Sequence, residues 1–106
     1  MPYISGMSTP FIDAKLQRAI EAVESVTKVT KSQIVSRSRI PHIVQARYFF
    51  YLLAREQGIV DRYTAIFVGR NVSAIPTACS TINDTMRTYP EVGALYEQIK
   101  QAWISL

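Results

Sequence analysis

The sequence has very little of what metal and disulfide sites require. Its 106 residues include one cysteine, Cys79, and one histidine, His42. A single chain therefore supplies neither a disulfide framework nor a cluster of thiolate and imidazole ligands for a metal ion. We expect Cys79 to be a small buried apolar residue and His42 to lie on the surface or along a groove.

Long apolar segments and a secretory leader are also missing. The longest uninterrupted apolar run covers residues 48–54, whereas about 20 apolar residues are needed to span a bilayer. The N-terminus lacks the charged head and apolar stretch of a signal peptide. We therefore expect a soluble, cytoplasmic protein with no membrane partner.

Catalytic signatures are absent as well. The chain has no phosphate-cradling glycine loop and no recognisable pairing of a nucleophile with a base. We expect no enzymatic activity, no catalytic residue, no bound nucleotide and no cofactor.

Acidic residues are missing from one long segment. Residues 25–55 contain no Asp or Glu, and the chain as a whole has a net charge of +4. The basic residues of this segment are Lys28, Lys31, Arg37, Arg39, Arg47 and Arg55. Such a cluster attracts phosphate groups, which favours nucleic-acid binding. Charge alone leaves open a second interpretation, a solvated basic face on an ordinary domain.

The first half of the chain shows helical periodicity. Residues 1–8 have no periodicity and predict a flexible arm, and Thr9 with Pro10 is a typical helix start. A helix to Thr27 follows. Thr30 and Gln33 have capping-box spacing, which predicts a short helix ending near Ser36.

The second half continues the helical pattern. Pro41 starts a long apolar helix that stops at Gly58, and Asp61 is a plausible N-cap for a short helix ended by Gly69. Apolar residues at helical spacing predict a fifth helix and a sixth that starts at Pro90. The predicted fold is all-α, a compact bundle of about six helices over residues 9–106.

The stretch FVGRNVSAIPTACSTI, residues 67–82, has the features of a helix-turn-helix corner. Gly69 ends the fourth helix, and Ala65 is predicted to pack where the two helices meet. Pro76 is tolerated only within the first turn of a helix. The fifth helix should therefore begin at Ser73 or Ala74, with Arg70, Asn71 and Val72 in a turn and free helix amides facing a phosphate.

The order of these segments resembles the C-terminal DNA-binding domain of DnaA-type bacterial replication initiators, a Trp-repressor-like helical fold. The resemblance covers residues 20–106, through VTKSQIVSRSR, ARYFFYLLARE, VGRNVSAIPTACSTI and YEQIKQAWISL. GRNVSAIPTAC is its most specific part, and it includes the Ala78-Cys79 pair. The nucleotide-binding module of full initiators is absent from this sequence.

The resemblance implies sequence-specific binding of double-stranded DNA through a helix-turn-helix, related to recognition of a replication origin. In the family, the arginine matching Arg39 reaches the minor groove and the position matching Arg70 begins the major-groove element. The residues that the resemblance and their placement assign to DNA are Arg39, Arg47, Arg55, Arg70, Asn71, Val72 and Ser73. Arg47 and Arg55 are eight residues apart and can share a helix face.

Three positions depart from the family pattern, which has an acidic residue, a histidine and a second hydroxyl residue where this chain has Asn71, Val72 and Ala74. Asn71 can pair with an adenine and Val72 can contact a thymine methyl group. The sequence leaves three interpretations open: a stand-alone DNA binder, a binder that competes or associates with a replication initiator, or a fragment. The alternative from another class is a protein-interaction module that kept the fold and exposes aromatic residues such as Tyr89, Tyr96 and Trp103.

Overall fold

The computed structural model describes the backbone of residues 2–105 and the side chains of residues 11–105. This part of the chain forms six helices and no strand, so the prediction of an all-α bundle is confirmed. The helices are α1 (Pro2–Thr27), α2 (Lys31–Val35), α3 (Pro41–Glu56), α4 (Asp61–Val68), α5 (Ala74–Thr88) and α6 (Pro90–Ser105).

Helix α3 is the centre of the core, as its nearly continuous apolar sequence predicts. It contacts α1, α2, α4 and α5, and α6 closes the bundle against α1 and α5. Phe49 and Phe50 are fully buried. The Phe49 ring stacks on Tyr96 of α6 with ring centres 5.5 Å apart, and the Phe50 ring lies 6.2 Å from that of Phe67 on α4. Burying each such ring contributes about 2–3 kcal/mol to folding.

The ends of the helices follow local signals in the sequence. The predicted capping box is present: the Gln33 amide donates to Thr30 Oγ1 at 3.2 Å, and the Thr30 amide donates to Gln33 Oε1 at 2.9 Å. Gly58 and Gly69 follow α3 and α4 with φ of +82° and +70°, the left-handed region that favours glycine.

Two predicted helix starts are wrong. Val60, not Asp61, is the N-cap of α4; Asp61 is the first helical residue, and its carboxylate pairs with Arg55. Helix α1 begins at Pro2 rather than after Thr9. Pro10, which was expected to mark the first turn, is instead the ninth residue of this helix, so the proline rule fails here. The flexibility predicted for residues 1–8 concerns residues whose side chains lie outside the described part, and it stays a prediction.

The described residues contain no helix with both the length and the apolar character needed to cross a membrane. His42 is exposed and Cys79 is buried, as predicted. Burial raises the pKa of the Cys79 thiol, so the side chain remains an unreactive apolar group at neutral pH.

Candidate functional site

The corner between α4 and α5 has the glycine and the helix start that the sequence predicts. Gly69 adopts the left-handed conformation, and the Arg70 amide donates to the carbonyl of buried Ala65 at 2.9 Å. Helix α5 begins at Ala74. Residues 70–72 therefore lie in the turn, and Pro76 is the third helical residue, where no backbone N–H is needed.

Asn71, rather than Ser73, organises the start of α5. Ser73 occupies the N-cap position, but its side chain caps no amide. Instead Asn71 Oδ1 accepts hydrogen bonds from the Ser73 amide at 3.0 Å and from Ser73 Oγ at 2.9 Å. This is an Asx-type turn, in which a short polar side chain substitutes for a backbone acceptor.

Backbone amides at the start of α5, which we expected to be free to bind a phosphate, donate hydrogen bonds within the same turn. The Ala74 and Ile75 amides donate to the carbonyls of Asn71 and Val72, at 3.1 and 3.2 Å. Pro76 has no amide hydrogen. The expectation that free amides at the start of α5 face a ligand is therefore wrong for residues 73–76, because the turn already satisfies those donors.

An open cleft of about 640 Å³ lies beside the start of α5. Its walls come from the segment between α2 and α3, from α3 itself and from the α4–α5 turn. We name it the basic cleft, because none of its described lining residues is acidic and four are arginines. The lining residues are Arg37, Ser38, Arg39, Val44, Arg47, Tyr48, Tyr51, Arg70 and Ala74.

The wall from α3 is a single face of that helix. Val44, Arg47, Tyr48 and Tyr51 have i, i+3, i+4 and i+7 spacing, which places side chains above one another on one side of a helix. The segment before α3 is held in place locally, since the Ile40 amide donates to Ser38 Oγ at 3.2 Å.

Arg47 is a structural residue, contrary to the predicted DNA-facing position. It is only 6% exposed. Its guanidinium donates to four backbone carbonyls around the C-terminal end of α2: Ile34 at 2.7 Å, Ser36 at 2.7 Å, Ser38 at 3.1 Å and Gln33 at 3.4 Å. These include carbonyls that a five-residue helix leaves unpaired, at the negative end of its dipole.

Arg70 lies next to Arg47. One of its terminal nitrogens donates to the Ser36 carbonyl, the acceptor that Arg47 also uses. Burial and, secondarily, the charge of Arg70 lower the pKa of Arg47, although a guanidinium remains charged at neutral pH. The shared acceptor brings two positive groups together at the floor of the basic cleft.

Arg55 does not belong to this site. Its guanidinium donates to both carboxylate oxygens of Asp61, at 2.6 and 3.3 Å. The predicted face shared by Arg47 and Arg55 is absent, because one side chain turns inward to α2 and the other pairs with the start of α4. Arg39, Arg47 and Arg70 are thus brought together, and Arg55 is not.

The remaining predicted site residues are accessible. Arg39, Asn71, Val72 and Ser73 are exposed, and so is Arg37. Among the described residues, the side chains of Arg37 and Arg39 have neither an ion pair nor a hydrogen bond. Of the residues in the basic cleft, these two therefore have their guanidinium groups entirely available to a ligand.

Sequence reasoning did not select Arg37, Tyr48 and Tyr51 as site residues. Arg37 stands two residues before Arg39 in the same connecting segment. Tyr48 and Tyr51 share a helix face with Arg47. That spacing could have placed both tyrosines in the site, but the aromatic run of residues 48–51 fits a buried core helix equally well.

Comparisons with protein-family models, with curated proteins and with solved structures found no match to this chain.

Proposed function

We propose that this chain binds double-stranded DNA in a sequence-dependent manner, with α5 in the major groove and the basic cleft on the adjacent phosphates. One observation carries the proposal: arginines from separate segments gather at the N-terminal end of a partly exposed helix, in a cleft with no carboxylate among its described lining residues. Cationic side chains that flank a recognition helix position it on the phosphate backbone.

The outer face of α5 suits contact with base edges. Its exposed residues up to Thr81 are small, apolar or hydroxyl-bearing, and none is charged: Ala74, Pro76, Thr77, Ser80 and Thr81. The first carboxylate on this helix is Asp84, which pairs with Arg87. Short uncharged side chains let a helix approach the groove closely, and hydroxyl groups hydrogen-bond with any base pair.

The resemblance to the DnaA C-terminal domain supports the same placement. In that family the arginine matching Arg39 contacts the minor groove, and the position matching Arg70 begins the major-groove element. We remove Arg47 and Arg55 from the proposed direct contacts because both guanidinium groups have protein partners. Recognition of an origin-like box in the cytoplasm, in competition or in association with a replication initiator, is the biological role that fits this proposal.

The alternative, a protein-interaction module, depends on exposed aromatic residues. Phe49, Phe50 and Tyr96 are buried, and Trp103 is half-buried against the core. Of the aromatic residues suggested for such a surface, Tyr89 is exposed, at 53%. These positions support core packing rather than a docking face.

Selection from a random duplex library, followed by a salt titration of the selected duplex, tests the proposal. We expect an enriched motif and an affinity that falls steeply with salt. If Arg37, Arg39 and Arg70 each neutralise one phosphate, log affinity against log salt has a slope of about −2.7, from about 0.9 per contact. Fluorescence anisotropy measures this slope. Titrations at about 50 to 200 mM salt cover a range in which phosphate contacts change the affinity strongly.

Absence of duplex binding at the lowest salt would contradict the DNA proposal. Binding with the expected slope but without an enriched motif would retain phosphate contact and reject sequence readout.

Replacement of Asn71 by alanine tests base readout. Ser73 occupies both acceptor positions of Asn71 Oδ1, so pairing with adenine requires the Ser73 hydroxyl to release that oxygen while the Asn71 amide nitrogen donates. Loss of this pair should reduce base discrimination at one position by about 1–3 kcal/mol. Because Asn71 Oδ1 already accepts from Ser73, Asn71→Ala also removes the turn. Asn71→Asp is the matched variant: it keeps an acceptor for Ser73 and loses the donor.

Repeating the library selection with both variants separates these roles. We expect both to lose preference at the same base pair, and Asn71→Asp to keep the wild-type Tm. An unchanged motif in both variants would show that Asn71 serves the turn alone.

A further inference from the structure

Tyr51 is a buried polar side chain of the basic cleft to which the proposed DNA contacts give no role. The residue is 2% exposed and lines the cleft. Among the described residues, its hydroxyl has no hydrogen-bond partner. The hydroxyl opens to the solvent of the cleft, so it can donate to a group bound there without breaking a contact within the protein.

The hydroxyl is also held in a fixed position. The Tyr51 ring lies against Phe50, with ring centres 6.0 Å apart, and near-parallel to Tyr48 at 6.4 Å. A donor that is already oriented loses little conformational freedom when a ligand binds. Burial raises the pKa of Tyr51 even though Arg70 and Arg47 oppose that shift. The phenol is thus protonated at neutral pH and acts as a donor.

The charges around this donor favour an anion. Arg47 and Arg70 share the Ser36 carbonyl, while Arg37 and Arg39 contribute two guanidinium groups that have no partner among the side chains described, residues 11–105. Like charges gathered without a carboxylate repel one another, and a bound anion relieves that repulsion. Guanidinium groups bind carboxylate or phosphate oxygens in pairs.

The arrangement of donors selects between those two anions. Tyr51 approaches from α3, Arg70 from the α4–α5 turn, and Arg37 and Arg39 from the segment before α3. Donors from three directions match the tetrahedral oxygens of a phosphate better than the planar pair of a carboxylate. An open cleft of about 640 Å³ also leaves room for a substituent on that phosphate.

We propose that the basic cleft is a phosphate-binding site in which the Tyr51 hydroxyl donates a hydrogen bond to a phosphate oxygen between Arg39 and Arg70. The phosphate belongs to the DNA backbone or to a free phosphate compound. Only the first source rests on the proposed function, so the two can be tested separately.

The test uses inorganic phosphate and the selected duplex as separate probes of the full chain. Phosphate binding at constant ionic strength is followed by amide chemical shifts of residues 37–39 and 70–74, and duplex binding by fluorescence anisotropy. Tyr51→Phe removes only the hydroxyl and preserves the buried ring. Tyr63→Phe is the matched control, because Tyr63 is a half-buried tyrosine on α4 that does not line the cleft.

We expect phosphate to shift the amides of both segments, and Tyr51→Phe to weaken phosphate affinity about 10-fold, as for a hydrogen bond to a charged group. Tyr63→Phe should bind as the wild type does. An equal loss of duplex affinity in Tyr51→Phe identifies a backbone phosphate as the ligand, whereas unchanged duplex affinity identifies a free phosphate compound.

Failure of the two proposals gives different results. Phosphate binding that depends on Tyr51, without any duplex binding, would reject the proposed function and retain the phosphate site. Absence of amide shifts with phosphate, or equal phosphate affinity in Tyr51→Phe and the wild type, would overturn the phosphate site whatever the duplex does.

Discussion

Replacing Arg47 by methionine is expected to lower the free energy of unfolding by about 3 kcal/mol, which corresponds to a fall in Tm of more than about 10 °C for a domain of this size. Methionine retains much of the apolar stem but none of the donors. Four backbone carbonyls lose the Arg47 guanidinium. The Ser36 carbonyl keeps Arg70 and the Gln33 carbonyl keeps the Ser36 amide and hydroxyl, so among the described residues the Ile34 and Ser38 carbonyls are the ones left without a donor. Thermal and urea unfolding followed by circular dichroism measure the loss.

Arg55→Met is the matched control, because it makes the same substitution two turns later on the same helix. Arg55 is in an ion pair whose side chains are 42% and 21% exposed. Such pairs contribute about 0–1 kcal/mol, so this variant should stay close to the wild type. Equal destabilisation of the two variants would contradict the structural role assigned to Arg47.

The helices could be predicted from the sequence because their signals are local. The Thr30 to Gln33 spacing, the proline at residue 41 and the left-handed glycines at 58 and 69 each act within one or two turns. The start of α5 was also predictable, since Pro76 excludes an earlier beginning. The same reasoning misplaced the start of α1, because Pro10 lies inside that helix and not in its first turn.

The site was less predictable because its key contacts join distant segments. Arg70 and its acceptor Ser36 are 34 residues apart, and no spacing rule links them. Helical geometry shows which residues share a face with Arg47, but not that this face meets the unpaired carbonyls of α2. Asn71 illustrates a local failure: two polar residues could cap the same helix, and sequence alone did not decide between them.

The four arginines of the basic cleft therefore have different roles despite their equal charge. Arg47 holds α2 against α3 and orders the wall of the cleft. Arg70 contributes one hydrogen bond to that wall and leaves other donors available. Arg37 and Arg39 are exposed, and their guanidinium groups have no partner in the part of the chain whose side chains are described. The last two can thus be replaced to change ligand binding with little effect on folding.

The double variant Arg37→Gln/Arg39→Gln is expected to lower duplex affinity about 100-fold at low salt, since each charge-assisted contact to phosphate contributes about 1.5 kcal/mol or more. The slope of log affinity against log salt should become shallower by about 1.8, from two lost phosphate contacts. Anisotropy titrations at several salt concentrations measure both quantities, and the Tm should remain within a few degrees of the wild type.

The control for this variant is Lys28→Gln/Lys31→Gln. It removes the same total charge from the same carboxylate-free segment, and both lysines are exposed and outside the basic cleft. At 0.1 M salt, charges interact across about 10 Å, so distant lysines should change affinity only a few-fold. If both double variants weakened binding equally, the net positive charge of the segment would explain DNA attraction, and the cleft would have no specific part in it. A loss confined to Arg37→Gln/Arg39→Gln instead requires direct contact, because the two variants differ in the position of the removed charges and not in their number.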